Sequence, residues 1–167
     1  FPSTPKEIFL THAHMGHYSG LLQLGREALG AKNIPVHVMP RMAVFLKENG
    51  PWSQLISLEN IKLFPMAHNE SVNFTSEIII TPLIVPHRDE FSETVGYRIQ
   101  GPNKTVLFIP DIDKWSKWSE NLKAILESVD YAFLDATFFD SVEINYRPLE
   151  KIPHPLVKET IAYLDPV

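Results

Sequence analysis

The chain predicts an α/β or α+β fold. Short β-branched, apolar runs bounded by turn residues recur along its length, and stretches of helical periodicity fall between them. A hydrophobic content of 44% against 21% charged residues suits a packed core. The length, 167 residues, fits a single domain, and one domain over 1–167 is expected.

Taken in order, Lys6 to Thr11 reads as a short buried strand. His17 to Leu29 reads as a helix, with Tyr18, Leu21, Leu22 and Leu29 near one face and Gly30 as its stop. Pro35 to Met39 reads as a second strand, and Met42 to Asn49 as a helix closed by Gly50-Pro51. Residues 53–75 read as short strands and turns. Glu77 to Val85 is β-branched and apolar, Thr94 to Gln100 alternates, and Lys104 to Ile109 is a further strand. Gly101-Pro102-Asn103 makes the last two a hairpin. Trp115, Trp118, Leu122, Ile125, Leu126 and Val129 share helical spacing. Tyr131 to Leu134 is then a strand and Leu156 to Leu164 a helix, with Pro155 at its first turn. The 14 prolines are dispersed, and there is no repeat or low-complexity segment.

Several function classes are disfavoured. The formal charge of −5 and the lack of a basic stripe argue against affinity drawn from nucleic-acid phosphates. No run is long enough to span a bilayer. With no cysteine there is neither a disulfide framework nor a thiolate zinc site, so any metal must be held by His, Asp or Glu.

The segment Leu10 to Leu21 places His12, His14 and His17 within six positions, in a chain of seven histidines. On an extended segment, residues two apart face the same way, so His12 and His14 can converge on one ion. His17, after a turn, reaches a neighbouring point. A catalytic ion needs a further protein ligand and an open position. His87, at the end of the apolar strand 77–85, is the expected third ligand. Asp111, at the end of another apolar strand, is a carboxylate able to bridge two ions. His37 and His68 read as hydrogen-bonded structural histidines. Arg88, Arg98 and Lys158 are candidates for contact with an anionic substrate, or for surface ion pairs.

"THAHMGHYSGL" resembles the metallo-β-lactamase-fold signature T-H-x-H-x-D-H-x-x-G-L. "VPHRDEFSETVGYRI" resembles the third motif of the ribonuclease Z-like and phosphodiesterase branch, and "LFIPDID" the fourth. "LDATFFD" and "IPHPLVKET" resemble the paired H-E-A-T and H-S-T elements of ribonuclease Z. Within the fold, the chain is most similar in flavour to the pyrroloquinoline quinone biosynthesis protein B group. The similarity runs from about residue 6 to 164. It implies an αββα sandwich, present as a central fragment that lacks N-terminal strands and a C-terminal segment.

Carried over position by position, the resemblance implies that His12, His14 and His87 hold the first metal. His17 and Asp111 serve a second, with Asp111 bridging. His154 matches the general acid/base histidine and Asp135 the carboxylate that orients it. Gly16 stands where the family has an aspartate that ligates the second metal, which implies one firm ion and a weak or lost second one.

The expected activity is hydrolysis of a small ester or phosphodiester through a metal-bound hydroxide, with His154 protonating the leaving group. Alternatives are an iron-dependent oxidoreductase of the quinone-biosynthesis type and a degenerate, non-catalytic binding scaffold. Zinc is the expected ion, with iron and manganese as alternatives. The expected partner is a small-molecule substrate, not nucleic acid. The short segment 139–153 also argues against a transfer-RNA processing role. Assembly and compartment are left open, with a homodimer and the cytoplasm as working expectations.

Overall fold

A computed structural model describes residues 4–144 and 147–165 of the chain. The terminal residues 1–3 and 166–167, on which the expected missing segments bear, lie outside the described residues. The fold is mixed α/β with two sheets, and it divides into two compact units. The first comprises the described residues up to Ala67 together with Asp89–Glu93. The second comprises His68–Arg88 and the described residues from Thr94 onward.

The first unit holds a three-stranded parallel sheet of β1 (Ile8–Phe9), β2 (Ile34–Val38) and β3 (Ile61–Pro65), in that order. Parallel strands require crossovers, and helices supply them. After β1 come α1 (Met15–Tyr18) and a 3₁₀ segment, Ser19–Leu24. Between β2 and β3 lie α2 (Pro40–Glu48), with Pro40 in its first turn, and α3 (Trp52–Ser57). The buried residues of these elements, among them Tyr18, Leu21, Leu24, Val36, Val38, Met42, Leu46 and Trp52, form one apolar core.

The second unit holds a five-stranded sheet: β4 (Val72–Asn73), β5 (Ile79–Ile84), β6 (Val95–Gln100), β7 (Thr105–Ile109) and β8 (Tyr131–Leu134), in that order. β5 and β6 are antiparallel, β6 and β7 are antiparallel, and β7 and β8 are parallel. Strands β5, β7 and β8 therefore run in one direction, and their C-terminal ends share one sheet edge. A 3₁₀ turn at Trp115–Lys117, α4 (Leu122–Leu126) and α5 (Val157–Leu164) complete the unit. Leu83, Val85, Leu107, Ile109, Ile112, Trp115, Trp118 and Leu122 form its main core.

Most elements lie where the sequence places them, with four corrections among the elements before β8. The strand expected over Lys6 to Thr11 is only Ile8–Phe9. The helix expected over His17 to Leu29 is instead α1 followed by the 3₁₀ segment. Gly25 leaves the helix in an extended conformation, and Gly30 takes φ +53° to close the turn by donating its N–H to the Gly25 carbonyl. The helix expected from Trp115 to Val129 is broken into two pieces, the second capped by Asn121. The indoles explain the break. Trp115 donates to Thr160 Oγ1 (2.9 Å) and Trp118 to the Ile84 carbonyl (2.8 Å), directions one continuous helix would not serve. Residues 53–75 contain α3, whose apolar signal is a single turn, Trp52 and Leu55.

Strands β6 and β7 approach closely at Gly96. A Cβ there would meet Ile109 Cγ1 and the Phe108 carbonyl oxygen at 2.8 Å. Gly96→Ala should therefore destabilise the chain by about 1–3 kcal/mol, read as a lowered midpoint in chemical denaturation. An unchanged midpoint would mean that the two strands yield at no cost.

Candidate metal and acid/base site

In the first unit, β1 delivers the chain into the histidine segment. Leu10 donates its N–H to the His37 carbonyl (3.0 Å), which fixes where the strand ends. Ala13 N–H donates to Ser92 Oγ (2.8 Å), pinning the backbone between His12 and His14. The imidazole of His12 is buried, with Nδ1 3.1 Å from Thr11 Oγ1. His14 is half-buried, and its Nε2 lies 3.1 Å from Glu90 Oε2. His17, exposed on α1, donates its backbone N–H to the His14 carbonyl (2.8 Å). The ring centroids of His14 and His17 lie 4.5 and 4.3 Å from that of His12. The three imidazoles form one cluster centred on His12.

In the second unit, the shared sheet edge gathers the other residues. His87 follows β5, Asp111 follows β7 and Asp135 directly follows β8. Asp113 N–H donates to the Pro86 carbonyl (2.7 Å), holding the loops after β5 and β7 together. His154 comes from the segment before α5, and its ring centroid lies 5.3 Å from that of His87. Donor atoms of Asp111, Asp135 and His154 lie within 4.8 Å of one another.

Asp135 is 3% exposed, and its carboxylate accepts four hydrogen bonds. Oδ1 takes Thr137 N–H (3.0 Å) and Thr137 Oγ1–H (2.6 Å). Oδ2 takes Ile112 N–H (3.2 Å) and His154 Nδ1–H (2.7 Å). A carboxylate only accepts, so His154 Nδ1 carries the proton. The neutral ring then keeps its lone pair at Nε2, the arrangement a general base requires. Asp111 Oδ1 lies 3.6 Å from the same Nδ1.

A second set of contacts holds the backbone at His154. Lys114 Nζ donates to the His154 carbonyl (3.0 Å) and to Glu159 Oε2 (2.9 Å), and Leu156 N–H donates to the same oxygen (2.9 Å). Partial burial opposes ionisation of Glu159, but the Leu156 N–H and then the Lys114 ammonium outweigh it and hold the carboxyl below its ordinary range. α5 starts at Val157, later than expected, so Pro155 precedes the helix and does not sit in its first turn.

The model of the β-lactamase superfamily domain matches residues 2–167. The chain belongs to the metallo-β-lactamase superfamily. Among solved structures it is similar to Zn²⁺-bound PqqB from Methylobacterium extorquens, with TM-score 0.77 and 20% identity over 95% of this chain and 57% of that one. It is similar to unliganded yeast PDE1, with TM-score 0.63 and 15% identity over 94% and 50%. It is also similar to CmlA, a diiron β-hydroxylase from Streptomyces venezuelae, with TM-score 0.56 and 19% identity over 96% and 31%. These likenesses are of fold, and the chain spans little more than half the length of the PqqB chain. No curated protein matches it in sequence. Among the described residues, no helix is long and apolar enough to cross a membrane.

Within this metallo-β-lactamase-fold chain, His12, His14 and His17 come together on the first unit, and His87, Asp111, Asp135 and His154 on the second. His37 and His68 are hydrogen-bonded, His37 to Glu7 (2.7 Å) and His68 by accepting the Ile84 N–H (3.0 Å). Of the cations singled out, Lys158 pairs with Asp140 (2.7 Å) and Arg98 donates to the Ser128 carbonyl (3.4 Å). Sequence reasoning passed over Ser92, Glu90, Thr137 and Lys114. Their only signal was proximity to a motif: "HRDEFSE" for the first two, and "DAT" and "DIDK" for the others.

The His154 assignment is open to ¹⁵N NMR of the full-length protein. The neutral ring should show a protonated Nδ1 and an unprotonated Nε2, and Asp135→Asn should disturb that tautomer. An Nε2–H tautomer in the unaltered protein would overturn the orientation derived above.

Proposed function

We propose that the chain is a metal-dependent hydrolase acting on a small ester or phosphodiester. The observation that carries the reading is the hydrogen bond from His154 Nδ1 to the buried Asp135 carboxylate, which fixes the tautomer of a histidine lining a cleft. The donors gathered on the two units, imidazole and carboxylate with no thiolate, fit zinc, manganese or iron. His12, His14, His87 and Asp111 would hold the ion, as the family resemblance implies, and His17 would stand by for a second. When bound, such an ion lends Lewis acidity to a substrate oxygen and lowers the pKa of water.

The chain's own residues supply the proton handling. Hydrolysis adds the elements of water across one bond, so a proton must reach the departing oxygen. His154, with its lone pair at Nε2, takes a proton there from the attacking water and passes it to the departing oxygen, while Asp135 holds the ring and stabilises its charged form. Thr137 keeps Asp135 in place, and Lys114 with Glu159 keeps the His154 segment in place. The likeness in fold to a diiron β-hydroxylase supports an oxidative second reading, for which the same donors would serve. That reading gives the His154–Asp135 pair no evident task.

Purified full-length protein should contain about one divalent ion per chain, and His12→Ala/His14→Ala should lose it, as read by elemental analysis. Gly16 has open space around the position a Cβ would take. Gly16→Asp should therefore fold and raise the stoichiometry toward two. Absence of metal after reconstitution would sink the enzyme reading, and iron with oxygen consumption would favour the oxidative one. In a hydrolase assay, Asp135→Asn should lower kcat by about 10²-fold or more with KM little changed. An unaltered kcat would remove His154 and Asp135 from the chemistry.

A further inference from the structure

The cleft beside His154 carries a charge opposite to that of the chain. Its volume is about 350 Å³, and Arg88, Thr137, Phe138, Arg147, Lys151 and His154 line it. The chain's formal charge is −5, yet no Asp or Glu is among the lining residues. Elsewhere in the second unit four lysines are paired with carboxylates. Lys104 pairs with Asp130, Lys114 with Glu159, Lys117 with Asp113 and Lys158 with Asp140. The cleft's cations differ: among the described residues, Arg88, Arg147 and Lys151 pair with no carboxylate, and all three are exposed. Three like charges around one small cleft repel one another, and the arrangement is at its best when an anion sits among them.

The cleft also has a rigid floor. The Phe138 carbonyl accepts the Val157 N–H (2.9 Å), and Phe138 bridges to Leu156, so its position is fixed by backbone. Its ring centroid lies 6.3 Å from that of His154. The Arg147 guanidinium lies over the same ring at 5.2 Å. A guanidinium held over an aromatic face by a cation–π contact is partly pre-organised, and such a group can offer paired N–H donors to paired oxygens. The Arg147 guanidinium and the His154 imidazole thus line one cleft around this ring.

We infer that this cleft is the subsite for an anionic group on the substrate, with Arg147 as its principal contact and Arg88 and Lys151 completing it. The inference rests on the hydrolase reading above and names its substrate class: a phosphodiester, not a neutral ester. A phosphodiester carries its charge on two non-bridging oxygens at the reacting centre, within reach of both the fork and His154. A neutral ester would leave three cations uncompensated.

The test is calorimetric titration of the full-length protein, as purified and after chelator treatment, with diphenyl phosphate, benzoate and the neutral phenyl acetate. Diphenyl phosphate should bind best, and more weakly as salt rises. Arg147→Ala should weaken it about tenfold, the loss of one charge-assisted bidentate contact. Arg147→Lys should recover only part of that, because the fork is gone. Lys158→Ala, outside the cleft, should bind as the parent does, and unchanged thermal melts would show that the variants are folded. Equal binding of phenyl acetate, or an Arg147→Ala variant that binds like the parent, would overturn the subsite. Benzoate binding tighter than diphenyl phosphate would overturn the phosphodiester assignment in favour of a carboxylate. Retained binding after chelation, in a protein that hydrolyses nothing, would keep the subsite and reject the hydrolase reading alone.

Discussion

A carboxylate removed from water must find hydrogen-bond donors or give up its charge, and Asp135 finds four. One comes from the loop after β7, two from the turn after β8 and one from His154. The second unit's chemistry hangs on this. Without Asp135, the turn at Thr137 loses its side-chain anchor and Ile112 N–H loses an acceptor. The His154 ring loses the contact that sets its tautomer. The same side chain is thus a turn cap and an orienting group at once, one oxygen for each task.

The first unit solves a different problem. Imidazoles placed side by side cost free energy when they are charged, and their rings must be aimed without a surrounding sheet. The backbone is aimed by Ser92, reached by Ala13 N–H, and the His14 ring is steadied by Glu90. A carboxylate hydrogen-bonded to an imidazole is a common way to fix its orientation. A Cβ added at Gly16, by contrast, would meet nothing within 4 Å.

Legibility followed physical locality. Periodic, apolar runs such as Ile79–Ile84 and Val95–Gln100 announced themselves, because a strand's burial is written in its own residues. The Gly101 turn was equally plain. The histidine cluster was legible because its members are close in sequence, and the motif order tied His87, Asp111, Asp135 and His154 to it. What escaped depended on distant partners. Nothing near Trp115 says that its indole will reach Thr160, so an unbroken helix looked natural there. Ser92 reaches Ala13 across 79 positions, and Lys114 reaches His154 across 40. Arg147 was unremarkable until Phe138 was beneath it.

The parallel pairing of β7 with β8 has a consequence for how the molecule comes into being. Ile109 is in register with Leu134, so the loops that begin just beyond them start at the same level of the sheet. Side chains alternate across a strand, and a slip of one residue would send Asp135 to the opposite face. No hairpin can enforce this alignment, because the intervening chain must first fold into a crossover. Contacts of that kind bear a loop-closure cost before they return any stability. A nascent or partly opened chain with β8 unpaired would retain most of its hydrophobic collapse and lack the Asp135–His154 hydrogen bond. The Asp135–His154 hydrogen bond is therefore a sensitive reporter of complete folding in the second unit, more so than compactness or secondary-structure content.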